Sequence, residues 1–295
     1  MYRIWSSARV RGVLSWQEQW ISESLLGFRH GHGCEDAYWK LGLAVEKALA
    51  SGNPLCGLSI DFAKAFDTVP LDFVLNLGEM MGIPEHVLRA LSGAYGQFQR
   101  HFKISNFVGE GFASSNGILQ GCPMSVVMLN LLMQVWANEV SSQVPHATPM
   151  CYADDANASC SRTPDVQLIL DLTEEFADLT GMSLNLGKSV CWSTNKRQRR
   201  QLQRIISKKT GKPLKVVSSM RFLGAEVNFT RGSAGGRHVK KRLDQAEQAC
   251  NRIEHVPLGI GARANLVQST VIPRVLYDAP LRPLTKTQRR TWRTR

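Results

Sequence analysis

Apolar positions along this chain repeat with two different periods, and the changes of period mark its elements. Over residues 35–50, Tyr38, Leu41, Val45 and Leu49 fall on one helical face, and Ser51-Gly52-Asn53-Pro54 ends the run. Residues 55–62 form a short apolar run with the length of a buried strand. Residues 71–81 and 85–95 read as helices separated by Gly82-Ile83-Pro84. Residues 98–115 read as two strands around Gly109-Glu110-Gly111. A long apolar helix is expected over 125–140, entered after Pro123, and a hairpin over 150–159. Thr163 is placed to cap a helix with Pro164 in its first turn, running to about Thr180 before Gly181. Residues 184–186, 190–192 and 220–229 read as strands. Over 238–254, Val239, Leu243, Ala246, Cys250 and Ile253 share a helical face. Helices and strands are mixed without the regular alternation of a doubly wound sheet.

Composition adds a core, and charge adds a division. Of 295 residues, 43% are apolar, which excludes a globally disordered chain. The net charge of +12 is unevenly placed. Residues 1–187 hold 11 Lys/Arg against 19 Asp/Glu, and residues 188–295 hold 25 against 5. The front part suits cations, and the back part suits a polyanion such as nucleic acid. Seven cysteines, with no C-x-x-C pair, support neither a disulfide framework nor a zinc knuckle and point to a reducing, intracellular setting, nuclear or cytoplasmic. The chain start lacks a secretory apolar core. The greasiest stretch, 126–137, is interrupted by Asn130 and Gln134 and is too short to span a bilayer, so no membrane partner is expected.

The chemistry concentrates in two acidic strand ends. In Met150-Cys151-Tyr152-Ala153-Asp154-Asp155-Ala156-Asn157, two adjacent carboxylates sit at a hairpin tip. In Leu58-Ser59-Ile60-Asp61-Phe62-Ala63-Lys64-Ala65-Phe66-Asp67, an apolar run ends in an acid. Carboxylates crowd together at a cost unless a cation neutralises them, so the reading is a Mg²⁺ site. Two strands bringing acids to one point is what two-metal phosphoryl transfer requires. Between them, Asn116-Gly117-Ile118-Leu119-Gln120-Gly121-Cys122-Pro123 offers an exposed amide and a close-approach glycine before a helix.

Taken in order, these segments resemble the reverse transcriptases of non-long-terminal-repeat, LINE-like retroelements. Asp61 to Asp67, Gln120-Gly121-Cys122-Pro123, Tyr152-Ala153-Asp154-Asp155 and Leu184-Asn185-Leu186-Gly187-Lys188-Ser189 resemble the four palm motifs. Arg221-Phe222-Leu223-Gly224 resembles the primer-grip segment, and Gly27-Phe28-Arg29-His30-Gly31-His32-Gly33-Cys34 the fingers signature. The resemblance implies an α+β right-hand polymerase fold with an antiparallel palm sheet. It implies partial fingers over 1–55, a palm over 56–229 with inserted fingers elements and a basic segment at 196–215, and a thumb over 230–295.

It also implies RNA-directed DNA synthesis from dNTPs on a DNA primer and an RNA template, with two Mg²⁺ ions. Asp61, Asp154 and Asp155 would be the catalytic metal ligands. The Phe62 carbonyl, Phe66, Gln120, Gly121 and Lys188 would meet the nucleotide, with Phe66 rejecting a 2′-hydroxyl. Phe222, Leu223 and Gly224 would grip the primer. Arg29 is a phosphate candidate. Arg197, Arg199, Arg200 and Arg204, on an expected helix, and Lys240 and Lys241, with His238, would track nucleic acid. The same basic stretch fits a nuclear-localisation patch. Departures from the pattern are Asn116 where Arg is usual, Val126 where Pro is frequent, and His32-Gly33-Cys34 where Arg-Ser-Thr is common. The chain reads as starting inside the fingers and carries no recognisable endonuclease. A group II intron maturase-type enzyme and a catalytically inactive nucleic-acid-binding remnant are the alternatives.

Overall fold

The computed structural model describes residues 1–113, 116–231 and 237–277, with the side chains of 237–239 left aside. By their contacts, 1–37 and 53–217 form one unit, and 38–52 with the described part of 218–295 form another.

In the first unit, α1 (Tyr2–Gln17) precedes an irregular segment and the start of α2 (Cys34–Ser51). Then come β1 (Cys56–Ala63), α3 (Ala65–Thr68), α4 (Leu71–Met80), α5 (Glu85–Gln97), β2 (Gln99–Ile104) and β3 (Phe107–Ala113). After α6 (Pro123–Gln143) come β4 (Thr148–Tyr152), β5 (Asp155–Cys160), α7 (Thr163–Thr180), β6 (Ser183–Leu184), β7 (Val190–Ser193), α8 (Lys196–Leu202) and β8 (Lys215–Val217). The main sheet runs β4-β5-β1-β7-β8, and β6 also pairs with the end of β1. Every ladder in it is antiparallel except β7–β8. β1 is central because Gly57 lets the strand lie close to its neighbours. A Cβ there would stand 2.4 Å from the Ala158 carbonyl and 2.6 Å from the Trp192 ring.

Helices α6 and α7 supply the core beside the sheet. Thirteen residues of α6 are buried, as expected of a helix apolar on nearly all sides. Leu129, Leu132, Trp136, Ile169 and Phe176 join Ile60 and Phe62 in one cluster. Gly181 ends α7 at φ 68°, where a left-handed residue closes the last turn.

The second unit holds a hairpin, β9 (Ser219–Phe222) and β10 (Ala225–Asn228), and a helical group of α9 (Arg237–Glu254), α10 (Ile260–Leu266), a π-helix (Val267–Val271) and α11 (Ile272–Leu276). Ala246, Ala249 and Val271 pack at the centre of that group.

Four expectations need correction. α1 has no counterpart in the periodicity reading, because its apolar side is broken by the buried Ser6 and Gln17. The first hairpin turns at Ser105-Asn106, with Ser105 at φ 54°, and Gly109-Glu110-Gly111 lies within β3. Thr163 is the first residue of α7, and its Oγ1 donates to Gln201 Oε1 at 3.1 Å instead of capping. Residues 220–229 are two strands, because Leu223 (φ 48°) and Gly224 (φ 85°) reverse the chain.

Candidate active site

Three acids meet where β1 and β5 pair. Asp61, near the end of β1, is the register partner of Asp155 at the start of β5. Tyr152 closes the β4–β5 ladder opposite the same Asp155, so Ala153-Asp154 is a two-residue turn. Such a turn demands positive φ, and Ala153 supplies it at 55°. A non-glycine residue there is strained and persists only when its surroundings hold it.

The holding is done by the segment that follows α1. Leu26 N–H donates to the Cys151 carbonyl at 2.9 Å, and Cys151 N–H donates to that of Ser24 at 2.7 Å. A Cβ on Gly27 would lie 2.6 Å from the Ala153 nitrogen, so only glycine allows this approach. Asn130, buried in α6, donates to the Gly27 carbonyl at 3.0 Å and to Gln17 Oε1 at 3.1 Å. Gln134 accepts the Ser22 N–H at 2.8 Å. The two polar residues that break the greasy run of α6 therefore anchor the backbone behind the acidic turn.

Asp61 is fixed from its other side. Its N–H donates to Ser189 Oγ at 3.1 Å, its carbonyl accepts from Asn185 N–H at 2.8 Å, and Ser189 Oγ donates to the Asn185 carbonyl at 3.0 Å. Sequence reasoning singles out only Lys188 in this segment. Ser189 was available as a small polar residue inside the quoted motif, but its partner lies 128 positions away.

Electrostatics follow from this crowding. Burial first, then the charges of Asp154 and Asp61, push the Asp155 carboxyl up to about 6. Burial, and the Asp61 charge, also push Asp154 upward, against a backbone amide that pulls it down. Lys188 Nζ stands 3.7 Å from Asp61 Oδ2 as a counter-charge. Among the described residues no three His, Cys, Asp or Glu side chains enclose an ion as they stand. The donor set nevertheless suits a hard cation, being all carboxylate oxygen in a place where negative charge is unfavourable.

On α3, which follows β1, Phe66 lies half-buried, and its carbonyl accepts from Ile118 N–H at 2.7 Å. Gly117 N–H donates to the Val69 carbonyl at 2.9 Å. These bonds tie α3 to the segment that presents Gln120 and Gly121, both exposed, with Gly121 at φ 79°. The Phe62 side chain is buried, with its ring edge-on to Phe176 at 6.2 Å, so only its backbone can face a ligand.

Other expected residues are placed differently. The Arg29 side chain is 7% exposed; it pairs with Glu18 at 2.7 Å and donates to the Ser22 and Leu25 carbonyls. That engagement removes it as a phosphate contact. The basic stretch is helical only over α8, where Asn195 Oδ1 caps the Arg197 and Gln198 amides at 2.8 and 3.2 Å. It then breaks, because buried Glu174 takes Ser207 Oγ and, at 2.9 Å, Lys208 N–H. Lys208 pairs with Asp171 at 2.8 Å and Lys209 with Asp178 at 2.5 Å. Arg199 donates to the Ser193 carbonyl at 2.6 Å, while Arg197, Arg200 and Arg204 are exposed.

In the second unit, the Phe222-Leu223-Gly224 turn is clamped by Tyr277, which the sequence reading did not single out. The Tyr277 hydroxyl donates to the Leu223 carbonyl. A Cβ on Gly224 would meet the Tyr277 ring at 2.9 Å. Arg242 lies over that ring, 5.8 Å from its centre. Lys240 and Lys241 are exposed on α9; the His238 side chain and residues 278–295 lie outside the described residues.

A central strand and a two-residue turn that bring acids together, on an antiparallel-rich sheet backed by two helices, define a right-hand polymerase fold. The family model described as "Reverse transcriptase (RNA-dependent DNA polymerase)" matches residues 2–227. The chain belongs to that family. Among curated proteins it is similar to the "Retrovirus-related Pol polyprotein from type-2 retrotransposable element R2DM" of Drosophila melanogaster, 22% identical over 269 residues, covering 86% of this chain and 25% of that one. It is similar also to the "Retrovirus-related Pol polyprotein from type-1 retrotransposable element R2" of Popillia japonica, 25% identical over 237 residues, covering 75% of this chain and 38% of that one. The chain thus spans between a quarter and two fifths of these relatives. Among solved structures, telomerase from Candida tropicalis in complex with a fragment of telomeric RNA aligns with a TM-score of 0.56 at 11% identity, over 92% of this chain and 46% of that one. The apo form of that enzyme truncated from its C-terminal domain aligns with a TM-score of 0.53 at 14% identity, over 76% of this chain and 44% of that one. These likenesses show the polymerase fold. No helix among the described residues is long and apolar enough to cross a membrane.

Proposed function

We propose that this chain is the polymerase portion of a non-long-terminal-repeat retroelement protein of the R2 kind, extending a DNA primer with dNTPs on an RNA template. The observation that carries the reading is the Asp61–Asp155 register with Asp154 in the adjoining turn, at the end of a sheet in a chain of this family. Asp61, Asp154 and Asp155 would hold two Mg²⁺ ions. Such ions neutralise the charge that develops on the attacking and leaving oxygens of an in-line displacement.

The chain's own groups do the rest by position. Ser189 and Asn185 fix the backbone of Asp61, so its carboxylate enters from a strand that cannot slide. Lys188 neutralises Asp61 in the resting protein, and the same ammonium is free to swing to a triphosphate, being 71% exposed. At the triphosphate it would donate a proton to the departing pyrophosphate. Gln120 and Gly121 offer an open amide and bare backbone to the nucleotide. Phe66, tied to the same segment, would stand under its sugar. Phe222 to Gly224 would hold the primer, and the division into partial fingers (1–55), palm (56–229) and thumb (230–295) belongs to the same reading. Arg197, Arg200, Arg204, Lys240 and Lys241 would meet the phosphate backbone.

The test is primer extension on an RNA template with Mg²⁺, comparing the wild-type chain with Asp154→Ala. Template-directed extension should vanish in the variant while nucleic-acid binding persists. An active Asp154→Ala chain refutes the site. A wild-type chain that binds but never extends identifies the inactive remnant.

A further inference from the structure

The β2–β3 hairpin carries an apolar face that nothing described covers. Every residue of β3 is exposed, and β2 is nearly so. Phe102, Phe107 and Phe112 are 71%, 83% and 41% exposed, and Ile104 is exposed beside them. They lie on one face for a structural reason. Ile104 faces Phe107 and Arg100 faces Phe112 in the ladder, and the register shifts between His101 and Lys103. The shift sets Gly109 and Glu110 together opposite Phe102, a bulge that restores the alternation. Without it, Phe107 and Phe112 would point to opposite faces. The Phe102 and Phe112 rings are stacked, 5.0 Å apart and 25° from parallel.

Three further observations say what such a face would take. The exposed side chains are mostly flat rings, and rings offer stacking to a base as well as contact to a protein. Arg100, the register partner of Phe112, lies on the same face as the rings, His101 and Lys103 lie on the other, and the hairpin carries a single acid, Glu110, on β3. The hairpin is also tied at its root to the nucleotide segment. Arg100 donates to the Asn116 carbonyl at 3.2 Å, and a Cβ on Gly117 would lie 3.0 Å from the same guanidinium. The face therefore rises from the segment that leads to Gln120 and Gly121.

We propose that this hairpin is a stacking platform for unpaired nucleotides of single-stranded nucleic acid, and that the strand held there is the template outside the primer duplex. Bases stack on Phe102, Phe107 and Phe112, and the backbone phosphates run past Arg100 at the root of the same face. Stacking on an aromatic side chain tolerates any base, so the platform binds without sequence preference. The assignment of that strand as template rests on the polymerase reading; the binding of single strands does not.

The experiment measures binding of the 295-residue chain to fluorescent unstructured single-stranded RNA, and to a primer–template duplex with or without an unpaired template overhang. Phe102→Ala with Phe107→Ala should lower single-strand affinity about 5- to 150-fold for each base that loses its stack. Phe107→Trp should retain affinity, and Phe107→Leu should lose it, because leucine keeps apolar area without a π-face. The slope of log affinity against log salt should stay unchanged, since no phosphate contact is removed. The overhang duplex should lose affinity and the blunt duplex should not. Equal binding by the Ala variants, or full binding by Phe107→Leu, overturns the proposal. So does a sedimentation experiment in which the Ala substitutions dissolve a dimer and leave RNA affinity alone, because the face would then join two copies. Loss on single strands with no difference between overhang and blunt duplex overturns the template assignment. No readout depends on catalysis, so failure of the polymerase reading, seen as an active Asp154→Ala chain, remains distinguishable.

Discussion

Replacing Asp154 by Asn should make the metal-free protein more stable while destroying its activity. The reason is the crowding of Asp61, Asp154 and Asp155. In the folded chain the Asp155 carboxyl sits at about 6, above its ordinary 3.8, because of burial and then the Asp154 and Asp61 charges. A carboxyl raised by folding binds its proton more tightly in the folded state. Its contribution to stability is then complete below the unfolded value and is lost as pH rises from about 4 through about 6. Near neutral pH the native protein carries the whole penalty. One pKa unit corresponds to about 1.4 kcal/mol. The shift of about two units belongs only in part to Asp154, and Asp155 is more than one-third exposed, so solvent screens it. That leaves under about 1 kcal/mol removable by Asp154→Asn. For a unit of this size the melting temperature should rise by about 1–3 °C. The assay is thermal unfolding in chelator-treated buffer from about pH 4.5 to about pH 7.5. The gain should be largest at the neutral end and fade toward the acid end, where the native carboxyls are protonated. Adding Mg²⁺ should raise the wild-type melting point more at about pH 7 than at about pH 5, and should do less for the variant. A variant that melts no higher than wild type at neutral pH, or a gain independent of pH, would refute the electrostatic account.

Three other outcomes test separate parts of the site. Phe66→Val should raise ribonucleotide incorporation relative to deoxynucleotides in primer extension, and unchanged discrimination would make Phe66 a packing residue only. Gly27→Ala should cut extension by about 10- to 100-fold with the acids intact, because its Cβ would press on the Ala153 nitrogen at 2.6 Å; Gly12→Ala, with nothing within 4 Å, is the control. Changing Arg197, Arg200 and Arg204 together to Gln should flatten the salt dependence of duplex binding by up to about three units, judged from log affinity against log salt. An unchanged slope would move the duplex path to Lys240 and Lys241.

Much of this architecture was legible because its signals are local. Period changes locate α2, α4, α5, α6, α7 and β1 within a few residues, and the order of short motifs is enough to recognise the family. The missing parts depend on partners far along the chain. α1 escapes a periodicity reading because Gln17 is buried for its bond to Asn130, 113 positions away. The turn of the first hairpin lies away from its expected place for a different reason. Glycines at 109 and 111 look like a reversal, yet both lie within β3, Gly109 in its bulge and Gly111 paired with His101, and Ser105 accepts the positive φ instead.

Arg29 shows why a conspicuous cation in a motif is weak evidence for a phosphate contact. Its guanidinium is engaged by one carboxylate and two carbonyls, which fixes the segment carrying Gly27 against the acidic turn. The motif's chemistry is thus expressed through backbone placement. Asn130, Gln134 and Ser189 act in the same way, their buried side chains gripping main chain at Gly27, Ser22 and Asp61, and Asn185 holds Asp61 through its own backbone. Polar groups buried in an apolar helix or at a strand end are unfavourable unless fully bonded. Here the bonds they form fix the acids that mutual repulsion would otherwise drive apart. The Asp61–Asp155 register could be moved only by sliding β1, and Ser189 and Asn185 hold β1 at that very residue. The strain at Ala153 could relax only if the turn moved away, and Gly27 leaves no space for that. The sequence names the carboxylates readily, but the groups that keep them together are ordinary polar residues whose meaning appears only when the chain is folded.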